Sequence, residues 1–185
     1  MRSRRRPGDR NDHPMNSATI ETVIKLYIGN KRLKNHTEDT INTDRINLLR
    51  FARSLPSGDQ TLMSAITPEI PRDYILGLQT RGRKYENHPN RPPVEGGLSP
   101  FTIHREVRVL KAFGNWLSGQ GIRDPFAALP RPKMPKKIVH VLEPDQVRGV
   151  LDAINPATEQ GARLYSIALL VLDSGLRVSE VASAM

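Results

Sequence analysis

Asp173-Ser174-Gly175-Leu176-Arg177-Val178-Ser179-Glu180 is the stretch that decides the reading of this chain. Before it runs an apolar segment from Leu164 to Leu172, with Ile167, Ala168, Leu169, Leu170 and Val171 inside. Apolar positions on every face predict a buried helix. Gly175 should end it, because the residue past a helix C-terminus often takes a positive φ that glycine adopts without steric cost. Ser179 or a neighbour can cap a following helix, with Glu180 well placed near its positive N-terminal end. Arg177 would then sit at a tight corner between two helices. A guanidinium held there suits an anion that accepts two parallel hydrogen bonds, such as a phosphate. Spacing alone equally allows an ordinary surface arginine on a helical hairpin.

Working outward, the whole chain favours the anion. It has 185 residues, a net charge of +9 and no cysteine. Its pI is about 10.2. A polyanionic partner follows, with nucleic acid first. A membrane partner is disfavoured, because no helix pairs a broad aromatic face with a basic one and no apolar run approaches the length of a span. Disulfides and thiolate metal sites are excluded. Without a signal-peptide core at the N-terminus, a cytoplasmic location is expected. The length accommodates one domain or two small ones.

In chain order, residues 1–16 are polar and arginine-rich and read as a disordered basic arm. It is open whether the arm touches phosphates, is a solvated tail, or reflects a mistaken start site. Ser17 should cap a first helix ending at Gly29, with Ile20, Val23, Ile24, Tyr27 and Ile28 facing inward. A second helix is predicted from about Thr37 to Leu55. Thr67-Pro68-Glu69 opens a third, and 83–97 reads as a surface loop. Ser99-Pro100 opens the longest helix, to about Gly119. Its inner stripe is Ile103, Val107, Leu110, Phe113 and Leu117, extended by Trp116. His104, Arg108, Lys111 and Asn115 form a second stripe, with Arg105 beside it. Such a face can enter a major groove and contact phosphates and base edges; a solvated charged face would have the same spacing. From Arg123 to Val141, prolines alternate with Arg131, Lys133, Lys136 and Lys137, and predict a stiff, extended linker that can follow a phosphate backbone. Leu142-Glu143-Pro144-Asp145-Gln146 then starts a helix with Val147, Val150, Leu151 and Ile154 inward.

Taken together, the chain resembles the tyrosine recombinase (phage integrase) family. Four ordered features carry the resemblance: the helical unit with Thr67-Pro68-Glu69 and the Ser99–Gly119 helix, the Pro/Lys linker, the Leu142–Gln146 start with Val147 to Ile154, and Ser174-Gly175-Leu176-Arg177-Val178-Ser179-Glu180. The resemblance implies an all-α fold. Residues 17–122 would be a four-helix, SAM-like core-binding domain, 123–141 the linker, and 142–185 a truncated helical start of a catalytic domain. Such domains clamp duplex DNA. Arg177 would be the first active-site arginine, stabilising the phosphorane as a tyrosine attacks. The covalent phosphotyrosine conserves bond energy, so no metal or other cofactor is implied. Glu180 would orient the corner.

The family's lysine, His-x-x-Arg pair and nucleophilic tyrosine would all follow Met185. His88-Pro89-Asn90-Arg91 spells the pair but lies upstream in a polar loop, and Tyr165 reads as core. Glu143 departs from the small hydroxyl residue usual before that proline, which predicts a weaker cap. DNA binding without catalysis is therefore expected, with self-association or contact with full-length recombinase protomers through the apolar surface after Val141. Two other readings remain: a stand-alone DNA-binding module, and an unrelated basic helical protein that binds RNA or protein.

Overall fold

The computed structural model describes residues 13–84, 90–136 and 140–184, and divides into two compact units at Pro135 and Lys136. Most of residues 1–16, together with Tyr85, His88, Pro89 and Lys137, lies outside the described residues. The fold is all-α: seven α-helices accompany a two-stranded ribbon among the described residues.

The first unit contains α1 (Ile20–Leu33), α2 (Glu38–Arg53), α3 (Glu69–Thr80) and α4 (Pro100–Gly119). The start of α1 differs from the sequence expectation. Thr19, not Ser17, is the cap, and its hydroxyl accepts the Thr22 N–H at 3.3 Å. Ser17 is instead spent in a 3-10 turn, Pro14–Ser17. Gly29 does not end the helix either. A mid-helix glycine costs only about 1 kcal/mol, and Tyr27 and Ile28 are already buried around it. The helix therefore continues to Leu33, so Lys31 stands on a rigid element.

Thr37 caps α2 and Ser99 caps α4, each through its hydroxyl. At the start of α3 the Thr67 side chain does not cap the backbone. Its hydroxyl bonds the Glu69 carboxylate, and this interaction holds Glu69 below the usual carboxylate range. The expected loop contains a short antiparallel ribbon, β1 (Arg83–Lys84) with β2 (Val94–Glu95), in register Arg83 to Glu95 and Lys84 to Val94.

Helices α2 and α4 share one pattern of capping and buried positions. At a constant offset, Thr37 corresponds to Ser99, Thr40 to Thr102, Ile41 to Ile103, Asp44 to Glu106, Leu48 to Leu110, Phe51 to Phe113, Ala52 to Gly114 and Leu55 to Leu117. The capping hydroxyls meet those of Thr40 and Thr102 at 2.9 and 3.0 Å. Every pair from Ile41/Ile103 onward is buried in both copies, including the two acids. Each acid finds a cation on a neighbouring helix: Asp44 pairs with Lys31 of α1 at 2.5 Å, and Glu106 with Arg50 of α2. Desolvated carboxylates need such partners.

The two equivalent phenylalanines converge on a third ring. Phe126 lies 5.4 Å from Phe51 and 5.8 Å from Phe113, centroid to centroid. The core of the first unit extends into the stretch read as linker: Phe126 and Leu129 join Ile122 in it, so apolar burial outweighs the extending effect of the flanking prolines. Gly114 admits this segment, because a Cβ there would stand 2.1 Å from Asp124 Oδ1. Asp124 in turn accepts the Phe126 N–H at 2.7 Å.

The second unit contains α5 (Pro144–Asp152), α6 (Glu159–Ser174) and α7 (Val178–Ala184). The start of α5 is better held than Glu143 suggested, since Gln146 Oε1 accepts the Glu143 N–H at 3.0 Å. Gly175 ends α6 with φ +65° as expected. The helix is not buried, however: no residue of α6 is buried, and Leu164, Leu170 and Leu172 are about half exposed. Tyr165 is likewise only half-buried rather than core. Three helices bury too little apolar area to cover an element that is apolar all round.

Candidate nucleic-acid interface

Helix α4 places its buried stripe against the core and turns its other face outward. There His104, Arg108, Lys111 and Asn115 line one groove of about 270 Å³, together with Arg131. Arg108, Asn115 and Arg131 are exposed, whereas His104 and Lys111 are half-buried. Arg105 is exposed on the same helix but does not line the groove. Lys133 is exposed beyond it, Lys136 belongs to the second unit, and Lys137 lies outside the described residues.

Lys111 differs from its neighbours. Its Nζ donates to the carbonyls of Ala127 at 2.9 Å and Leu129 at 2.8 Å. An ammonium has three donors, so most of its hydrogen-bonding capacity is spent inside the protein.

The sequence reading missed a second hollow. Lys31, Lys34, His36 and Asn30 face Asn115, Trp116 and Gln120 across a space of about 460 Å³, which meets the first groove at Ala112 and Asn115. Ending α1 at Gly29 hid these cations, because it left Lys31 and Lys34 in a loop with no defined face. Lys31 is largely committed: it is only 15% exposed, pairs with Asp44 and lies 5.4 Å from the Tyr27 ring centroid. On the other side, Arg108 also borders a small pocket with Asp39, Thr40, Thr43 and Asp44. Arg108 thus stands where the two copies of the repeated helix approach each other.

Two tyrosines of this unit are poor nucleophiles. Burial, with the nearby Asp44 charge, pushes the Tyr27 hydroxyl well above its ordinary range; it donates to Asp44 Oδ2 at 3.3 Å. Burial and the charge of Glu106 do the same to Tyr74. A reactive oxygen requires the opposite shift.

In the second unit Arg177 occupies the corner between α6 and α7, with its side chain 82% exposed. Arg177 itself precedes the first turn of α7, two residues before Ser179. Its backbone N–H is accepted by Glu180 Oε2 at 2.7 Å, and its guanidinium donates to Oε1 at 3.2 Å. Glu180 can reach back because it lies three residues into the turn, as in a capping box. The guanidinium is thereby oriented while its other donors face outward.

This geometry can hold phosphates: exposed Arg108 sits on a rigid helix, and carboxylates hold Lys31 and Arg177. Among the described residues no cluster of acids and histidines could hold a metal ion, and no helix is long and apolar enough to cross a membrane.

Comparison with known proteins found no matching family model and no matching solved structure. Curated proteins do match. Tyrosine recombinase XerC of Shewanella amazonensis is 37% identical over 150 residues, covering 74% of this chain and 49% of that protein. Tyrosine recombinase XerD of Caulobacter vibrioides is 35% identical over 88 residues, covering 46% and 29%. Tyrosine recombinase XerC of Mycobacterium sp. is 33% identical over 91 residues, covering 46% and 30%. The chain spans at most about half the length of these relatives. The matches support a family relationship: this chain is related to the tyrosine recombinases.

Proposed function

We propose that this chain binds duplex DNA as the DNA-gripping part of a site-specific tyrosine recombinase. The groove beside α4 carries the reading: His104, Arg108 and Asn115 of α4, whose opposite face is locked into the core, line it together with Arg131 from the segment after the helix. The first unit is then the core-binding domain. The second contributes Arg177, which would bind the phosphate at the cleavage point. The residues between them, rich in lysine and proline, would follow the DNA backbone. In this reading residues 1–185 bind DNA without cutting it, and Tyr27 and Tyr74, whose hydroxyls burial pushes up, do not serve as the nucleophile. Full recombinase activity, by strand cleavage and religation, would belong to the longer protein.

Duplex binding followed by fluorescence anisotropy at increasing salt tests the proposal. Arg108→Ala should weaken binding and make the slope of log K against log salt shallower by about 0.9, the contribution of one phosphate contact. An unchanged slope removes α4 from the interface, and tighter binding to RNA than to DNA defeats the recombinase reading. Arg177→Ala in the same assay should change affinity by about twofold or less, because a single exposed charge contact contributes little and the partners that the resemblance implies for its phosphate site are not among residues 1–185. A tenfold loss would instead make Arg177 a principal anchor.

A further inference from the structure

We propose that Lys111 acts as a positioning residue that sets Arg131 in the groove, rather than as a phosphate contact of its own. This rests on the DNA-binding reading above. The segment after α4 leaves the helix, turns and becomes the connector. Its turn is closed by the Leu129 N–H on the Phe126 carbonyl at 3.1 Å, and the carbonyls of Ala127 and Leu129 meet no backbone N–H among the described residues. Pro130 follows and has no N–H to offer. The Lys111 ammonium supplies the missing donors to both carbonyls.

Three constraints therefore converge on one short segment. Phe126 and Leu129 are buried in the core. The absence of a side chain at Gly114 lets Asp124 press against α4. Lys111 ties the outer edge. The Leu129 carbonyl is separated from Arg131 only by Pro130, whose fixed φ transmits the placement. Arg131 then emerges beside Arg108 instead of sweeping freely at the head of a flexible chain. A lysine that moved to a phosphate would have to release both carbonyls, so the two roles compete for the same donors.

The test is a double-mutant cycle read on the salt slope of duplex-DNA binding, using the full chain as wild type, Lys111→Met, Arg131→Ala and the double variant. Circular dichroism checks helix content, and hydrogen exchange follows the 126–131 amides without DNA. A positioning role predicts that each single variant loses about 0.9 from the slope, that the double variant loses no more than either single one, and that Lys111→Met alone speeds exchange at 126–131. Lys111→Arg, which keeps donors for both carbonyls, should retain most of the wild-type slope. Additive losses near twice that size, with exchange unchanged, would show two independent phosphate contacts and overturn the proposal alone. Failure of the wild-type chain to bind duplex DNA would overturn the DNA reading and this proposal with it.

Discussion

Phe113→Ala is expected to lower the unfolding free energy of the first unit by about 3–5 kcal/mol, the usual cost of deleting a buried aromatic side chain. Domains of this size are stable by only about 5–15 kcal/mol, so the variant should be largely unfolded in mild urea. Phe113 is fully buried and touches Tyr27 at 5.3 Å, Phe126 at 5.8 Å and Trp116 at 6.0 Å between ring centroids. Its removal would open the junction between the repeated helices and the segment that ends at Arg131. Trp116 is the single tryptophan of the chain and stacks on this ring, so its fluorescence reports the transition directly. Leu33→Ala, at a side chain 84% exposed, is the control and should stay within about 0.5 kcal/mol of wild type. Equal stability of both variants would show that the aromatic cluster does not hold the unit together.

The second large effect concerns the charge beneath α4. Arg50→Met should cost about 3 kcal/mol, the low end for breaking a buried pair, because Arg50 is 45% exposed while Glu106 is fully buried. The loss would be greatest at neutral pH. Burial pushes the Glu106 carboxyl above its ordinary value near 4.5, with Arg50 opposing the shift. Its folded form therefore holds a proton more tightly than its unfolded form. This contribution is fully present below about pH 4.5 and is lost as pH rises through the folded value. Glu106→Gln removes the titration while keeping the shape. Its stability relative to wild type should accordingly improve as pH rises from 4.5 toward neutrality. Urea unfolding at a series of pH values checks both variants; a difference between Glu106→Gln and wild type that does not change with pH would mean that Glu106 does not titrate between these limits.

Much of the molecule was legible in the residues before any coordinates. The boundaries of α4 follow from Ser99-Pro100 and its apolar stripe, and Gly175 stops α6 for the steric reason expected. The repeat linking α2 to α4 was also legible, but it emerges only when two distant stretches are compared position by position. Helix-by-helix reading does not single out Asp44 or Glu106, since periodicity assigns a face and says nothing of the cation waiting on another helix.

What sequence determined by itself was the overall excess of positive charge and some local features, namely the Ser99 cap, the apolar stripe of α4 and the positive φ at Gly175, each of these set by neighbours within a turn or two. Tertiary structure alone decided that Phe126 and Leu129 leave the presumed linker for the core, that Lys111 is spent on two carbonyls while Arg131 joins Arg108, and that Lys31 and Lys34 border the same surface. The reason is physical. A proline-rich segment or a lysine is extended or solvated by default, and only a complementary surface from elsewhere in the chain, offering buried area or an unpaired carbonyl, makes another arrangement lower in free energy.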